Sequence, residues 1–169
     1  MNFSSSSSYE NSNTNIQRQL NMHFSKDEHL KITKKNIIQI CFPDILAKLC
    51  FTMHNNDIVI DYRYFKFLSS PENFEAIVQY IIFTIHNVLK SQESFVFHVN
   101  MSSITLLHIE KYYGFIKQLS EILKTTFPDK LNTCHIYNAP FIFSKLFSVI
   151  SMFIDKKTQQ KIQLIKDDY

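Results

Sequence analysis

Four short runs of aliphatic, β-branched and aromatic residues, at 58–65, 95–99, 134–137 and 162–165, are separated by segments long enough to be helices. No other feature constrains the fold as much. After Pro71, the residues Phe74, Ile77, Val78, Ile81, Ile82, Ile85 and Val88 keep the spacing of a core-facing helix. Ser69 or Ser70 is placed to cap it, and Pro71 suits its first turn. The pattern also predicts a helix from Ser102 or Ser103 to just before Pro128, another over 140–150, and a Lys-rich helical turn near Thr158. Crossovers of this length join parallel strands with a right-handed turn. The predicted class is α/β: a mainly parallel sheet with crossover helices, preceded by short N-terminal helices.

Three regions follow from the patterning. Residues 1–24 contain a serine run at 4–8 and then Asn11, Ser12, Asn13, Thr14 and Asn15, a polar stretch expected to stay a disordered tail for want of apolar surface. Residues 25–56 read as a short helical segment of two helices. Ser25 and Glu28 are spaced as a capping box, and an apolar series from Leu30 through Ile37, Ile38 and Ile40 to Leu49 is broken at Pro43. Residues 57–169 form the expected domain.

Composition removes several classes of function. Gly114 is the single glycine, and phosphate-cradling loops need two or three, so Walker-type, Rossmann-type and kinase-type nucleotide sites are excluded. The net charge is +3, but only Arg18 and Arg63 are arginines, and base readout favours Arg, so no nucleic-acid partner is expected. Cys41, Cys50 and Cys134 are far apart with no C-x-x-C pair; they read as free, buried thiols in a reducing compartment. The longest apolar stretch, interrupted by Lys145, falls short of the ~20 residues that cross a bilayer. No metal-ligand spacing links His86, His98 and His108. Cys134 and His135, adjacent on a strand, point to opposite faces and cannot pair as nucleophile and base, so the chain is not expected to be an enzyme.

One helix is wider in its apolar arc than a single sheet face can cover. Over 141–154 the only polar positions before Asp155 are Ser144, Lys145, Ser148 and Ser151, with the serines on one narrow stripe. The rest of the arc must be covered by a partner protein, a membrane surface, a lipid held between helix and sheet, or the N-terminal helices.

Three stretches carry a resemblance. They are Phe-Pro-Asp-Lys-Leu at 127–131, Ile-Tyr-Asn-Ala-Pro-Phe-Ile-Phe at 136–143, and Phe-Ile-Asp-Lys-Lys-Thr-Gln-Gln-Lys-Ile at 153–162. In order and spacing they resemble the core of the Sec14-like, or CRAL-TRIO, lipid-binding family. The resemblance implies an apolar pocket floored by the sheet, and a mobile gate helix meeting the membrane. Phe141, Phe143, Leu146, Phe147 and Ile150 are the matching gate or pocket residues. It further implies that Asp129, Thr158 and Lys161 address a phosphatidylinositol-like headgroup. Thr158 and Lys161 are i, i+3 neighbours, and a hydroxyl beside an ammonium suits a phosphate oxygen.

The chain departs from the family pattern in having Asp129 where Glu is usual and Lys157 where Pro is common. It also stops at Tyr169, soon after the last matched strand, which predicts a shortened pocket. The expected function is binding and transfer of a phospholipid by a cytoplasmic protein peripheral to membranes, without catalysis and with no cofactor beyond bound lipid. The alternative is a protein-interaction scaffold on a degenerate version of the same fold, with a protein partner in place of exchange.

Overall fold

The structure, a computed structural model, describes residues 6–36, 41–68 and 70–166, with side chains from residue 12 onward. Ile37, Ile38, Ile40 and Ser69, named above in the apolar series and as a cap, lie outside the described residues.

Five strands form one sheet in chain order: β1 (Cys50–Met53), β2 (Asp57–Asp61), β3 (Phe95–Asn100), β4 (Leu131–Tyr137) and β5 (Ile162–Ile165). β2 through β5 are parallel, and β1 pairs antiparallel to β2. The four strand-like runs are therefore all in the sheet, and β1 is an addition. The run at 58–65 ends early as a strand. The Asp61 side chain accepts the Arg63 amide, and Tyr62–Phe65 turns into a helix.

Each parallel strand steps to its immediate neighbour in the same direction, so right-handed crossovers must place every connecting helix on one face of the sheet. That face carries Phe74–Leu89, Leu106–Lys111, Tyr113–Thr126, Phe143–Ser151 and Lys156–Gln159. We label the helices in chain order as α1 (Ser6–Ser25), α2 (Glu28–Lys35), α3 (Phe42–Leu49), α4 (Tyr62–Phe65), α5 (Phe74–Leu89), α6 (Leu106–Lys111), α7 (Tyr113–Thr126), α8 (Phe143–Ser151) and α9 (Lys156–Gln159). The large core joins Ile45 and Leu49 of α3, Ile77 and Ile81 of α5 and Leu146 of α8 to the strand residues Ile58, Phe97 and Ile136.

The same rule leaves the opposite face uncovered by crossovers, and α1 covers it. Here the expected disordered tail is corrected: Ser6–Ser25 is helical, and Leu20 (0% exposed) and Phe24 pack with Val59 and Tyr137, flanked by Ile16 and Ile165. Ile16, Leu20 and Phe24 are spaced i, i+4, i+8, one stripe on an otherwise polar helix, so docking supplies what the serine- and asparagine-rich composition lacks.

Other helix limits also shift. The N-cap of α2 is Asp27, while the Ser25 hydroxyl donates to the Met22 carbonyl instead of capping. Pro43 opens α3 rather than breaking a helix. α6 begins at Leu106, because Thr105 caps it by accepting the His108 amide and Ser103 takes a positive φ. Cys50 and Cys134 are buried, but Cys41 is exposed, contrary to expectation.

Candidate functional site

Between the crossover helices and the sheet lies a cavity of about 450 Å³. Its floor includes Ile60, Phe97, Val99, Cys134 and Ile136; α7 contributes Ile116, Leu119 and Leu123, and α8 contributes Phe143, Leu146 and Ile150. The Cys134 thiol faces this apolar space, and burial pushes its pKa up to about 12. It is an inert wall atom at neutral pH. His135, next in the strand, is on the other face beside His98, as the alternation of a strand requires.

Polar groups gather at the two ends of the cavity. At the end where the parallel strands begin stand Lys124, Asp129, Asp155, Thr158 and Lys161. Asp129 follows Pro128 in a turn closed by the Lys130 amide on the Phe127 carbonyl. Asp129 has a φ of 58° in that turn, the left-handed conformation that Asp and Asn tolerate better than most side chains. The Lys157 ammonium pairs with its carboxylate at 3.2 Å, both groups exposed. Asp155 caps α9 by accepting the Thr158 amide at 2.7 Å. Hydrogen bonds from the Thr158 hydroxyl and amide hold Asp155 below the usual carboxylate range. Lys161 Nζ donates to the Leu131 carbonyl at 2.7 Å. An ammonium has three donors, so Lys161 can hold that carbonyl and an anion together.

At the other end, beyond the C-terminal ends of β2 and β3, Tyr62 and His108 line the cavity and hydrogen-bond each other, Oη to Nδ1, at 2.8 Å. Burial pushes the Tyr62 phenol pKa up, so it stays protonated.

The structure thus brings Asp129, Thr158 and Lys161 to one mouth. It divides the five residues expected of the gate: Phe143, Leu146 and Ile150 line the cavity, whereas Phe141, 98% exposed, and Phe147 are not among its lining residues. The helix is shorter than the apolar stretch, because the Asn-Ala-Pro-Phe segment is a turn. Asn138 takes a φ of 53°, and its side-chain amide donates to Asn100, tying the end of β4 to the end of β3. Sequence reasoning missed Lys124, the Tyr62–His108 pair and the α7 wall. The apolar spacing of Ile116, Leu119 and Leu123 was visible, but a helix facing a cavity and a helix facing side chains have the same spacing.

An α/β fold with an apolar cavity under its crossover helices is suited to holding an apolar molecule. Residues 49–169 match the family model for the CRAL/TRIO domain, and the chain belongs to that family of lipid-binding and lipid-transfer domains. The match starts before residue 57, the expected domain start, so it takes in β1.

Two curated relatives share a 71-residue stretch with it: the SEC14 cytosolic factor of Yarrowia lipolytica at 34% identity and the Sec14 cytosolic factor of Schizosaccharomyces pombe at 28%. The stretch is 42% of this chain, 14% of the first relative and 25% of the second. Among solved structures, the crystal structure of Sfh5 superposes with a TM-score of 0.60 at 15% identity, over 75% of this chain and 50% of that one. At that identity the likeness is one of fold. Among the described residues, no helix is long and apolar enough to cross a membrane.

Proposed function

We propose that this chain binds a phospholipid of the phosphatidylinositol kind in the cavity and exchanges it at membrane surfaces, without catalysis, as a cytoplasmic protein peripheral to the membrane. The observation that supports this is an apolar cavity with a polar end: Lys124, Thr158 and Lys161 stand there beside Asp129, which pairs with Lys157, and Asp155, which caps α9. A scaffold that only presents an outer surface to a protein partner has no use for a hollow core, whose unfilled space costs stability. In this reading Phe141, fully outside the cavity, and Phe147 are the membrane-facing part of the α8 region, while Phe143, Leu146 and Ile150 touch the tail. Thr158 orients Asp155 and α9, and Lys161 holds the phosphate.

Lipid extracted from the purified protein and analysed by mass spectrometry tests the reading; an inositol phosphate head is expected. A charge-assisted hydrogen bond is worth roughly 1.5–3 kcal/mol and 1.4 kcal/mol is one decade of affinity, so Lys161→Ala should weaken binding to phosphoinositide vesicles at least about tenfold. The neighbouring Lys156→Ala should change it slightly, mostly at low salt. Equal small losses for both would reduce the mouth to diffuse attraction and remove the headgroup assignment.

A further inference from the structure

The link between α1 and α2 is built on a run of four rings. α1 ends at Ser25 and α2 begins at Glu28. His23, in the last turn of α1, and His29, in the first turn of α2, lie face to face, with ring centroids 5.1 Å apart and planes 6° apart. His23 also meets Phe51 of β1 edge-on, and His29 stacks on Tyr64 of α4 and hydrogen-bonds its hydroxyl through Nδ1. The four rings join α1 and α2 to the sheet and to α4. Close to both imidazoles is the Arg63 guanidinium, 5% exposed, whose Nη1 donates to the Phe24 carbonyl at 3.0 Å and to the Lys26 carbonyl at 2.8 Å.

This arrangement suits neutral imidazoles and opposes charged ones. Two stacked imidazolium rings repel each other, and each repels Arg63. The carbonyls that end α1 would favour a cation, but Arg63 already holds them. Asp61 is the carboxylate that faces the rings, and it is committed to Arg63 and Asn100. Lys26 on the link and Lys48 on α3 add positive charge, while Asp27 pairs with Lys31 and Glu28 is exposed. His29 Nε2 is buried without a partner: a neutral ring can leave it bare, but a charged ring must carry a proton there with nothing to receive it. Burial first, and then the neighbouring His29, lowers the pKa of His23; burial first, and then Arg63, lowers that of His29, with Asp61 opposing in both.

We infer that α1 is an acid-released cover whose latch is the stacked pair His23 and His29: protons taken up at the α1–α2 link undock α1 while the crossover face stays folded. Release uncovers Leu20 and Phe24 together with Val59 and Tyr137, on which they pack. The latch is independent of the lipid-binding reading and stands without it. Its sign follows from linkage. The docked rings hold protons less tightly than the released ones, so docking is at full strength above the ordinary imidazole value of 6.5 and weakens as pH falls below it. Each ring contributes at most about tenfold per pH unit.

Amide hydrogen exchange of the full chain at pH 7 and pH 5, expressed as protection factors, reads α1 and the strands separately. The ratio of protection in α1 to protection in β3 should fall at least about tenfold between the two pH values. In His23→Gln/His29→Gln, whose side chains cannot take the charge, the ratio should be the same at both. Should that chain have an unprotected α1 already at pH 7, His23→Phe/His29→Phe, which keeps the stacked rings without the charge, takes its place and should also lose the acid response. Protection lost in equal proportion by α1 and β3 means acid unfolding of the whole domain and overturns the inference. So does an α1 indifferent to pH, or one that responds equally in the uncharged variants. An α1 unprotected at pH 7 in both variants overturns it as well, because the imidazoles would then hold α1 by their shape and bonds rather than by their neutrality.

Discussion

The face of the sheet under the crossover helices is lined by Ile60, Phe97, Val99 and Ile136 and left partly hollow. The face under α1 buries Asp57, Asp61, His98 and Asn100 and is filled. On that second face the polar groups are tied to one another. His98 bonds Asp57 at 2.7 Å and the Tyr137 hydroxyl at 2.9 Å, and Asn100 donates to Asp61 at 3.1 Å. Asp61 also holds Arg63 at 2.7 Å, and Arg63 Nη1 donates to the Phe24 and Lys26 carbonyls at the end of α1. The directional bonds of this second face tie β2, β3 and β4 to one another and, through Arg63, to the end of α1, whereas the crossover face is joined by apolar packing.

The largest effect should come from cutting the tie between sheet and α1. Asp61→Ala leaves the Arg63 guanidinium buried without its carboxylate, and removing one partner of a buried pair costs about 3–5 kcal/mol. A urea midpoint that barely moves would show that the two faces do not differ in this way.

Truncation of one leucine on each face sharpens the contrast. Leu20→Ala opens a new void in a packed site and should cost about 2–5 kcal/mol. Leu119→Ala, which already faces the cavity, enlarges an existing space and should cost about 1 kcal/mol, chiefly the lost transfer free energy. Equal losses by thermal denaturation would mean that the cavity behaves as packed core.

The effect of acid should also be one-sided. His135 has its pKa lowered from 6.5 to about 4, first by burial and then by the neighbouring His98, with Asp57 opposing, and its Nδ1 has no hydrogen-bond partner. Its folded pKa lies below its unfolded one, so between those values the unfolded chain binds the extra proton and stability is lost as pH falls from about 6.5 toward 4. Urea midpoints from pH 7 to pH 4.5 should fall more steeply for the native chain than for His135→Gln; parallel slopes would remove His135 from the account.

The smallest effect belongs to the exposed Asp129–Lys157 pair. Asp129→Asn should change stability by less than about 1 kcal/mol, since exposed ion pairs contribute little. A larger loss would show that this mouth, like the α1 face, is structurally tied.

The sequence reveals the two faces unequally. Alternation of apolar runs and helical spacing made the crossover face legible, down to the strand positions of Phe97 and Cys134 and the opposite facing of Cys134 and His135. The motif stretches placed Asp129, Thr158 and Lys161 near one another, because each sits at the start or turn of a recurring segment.

The α1 face was not legible for a physical reason. Its cover depends on three apolar residues, Ile16, Leu20 and Phe24, and on Arg63, which is 39 positions from Phe24 in the chain. Neither a three-residue stripe nor a side chain reaching a distant carbonyl leaves a local compositional mark. The hollow was equally hidden, since spacing reports which way a residue faces and not what it meets.

The order of strands in the sheet has a consequence for the timing of assembly. Because the order follows the chain, each strand after β2 emerges during synthesis to find its neighbour already made. The cover is different: α1 precedes every strand, yet Phe24 rests on Tyr137, which is made 113 residues later. At roughly 5–20 residues per second that is on the order of ten seconds during which the stripe of α1 has only the Val59 side of its seat. Nascent chains stalled before residue 137 should therefore be cleaved within α1 by added protease, and chains released whole should resist. The cover of this sheet is made before the seat that holds it is complete.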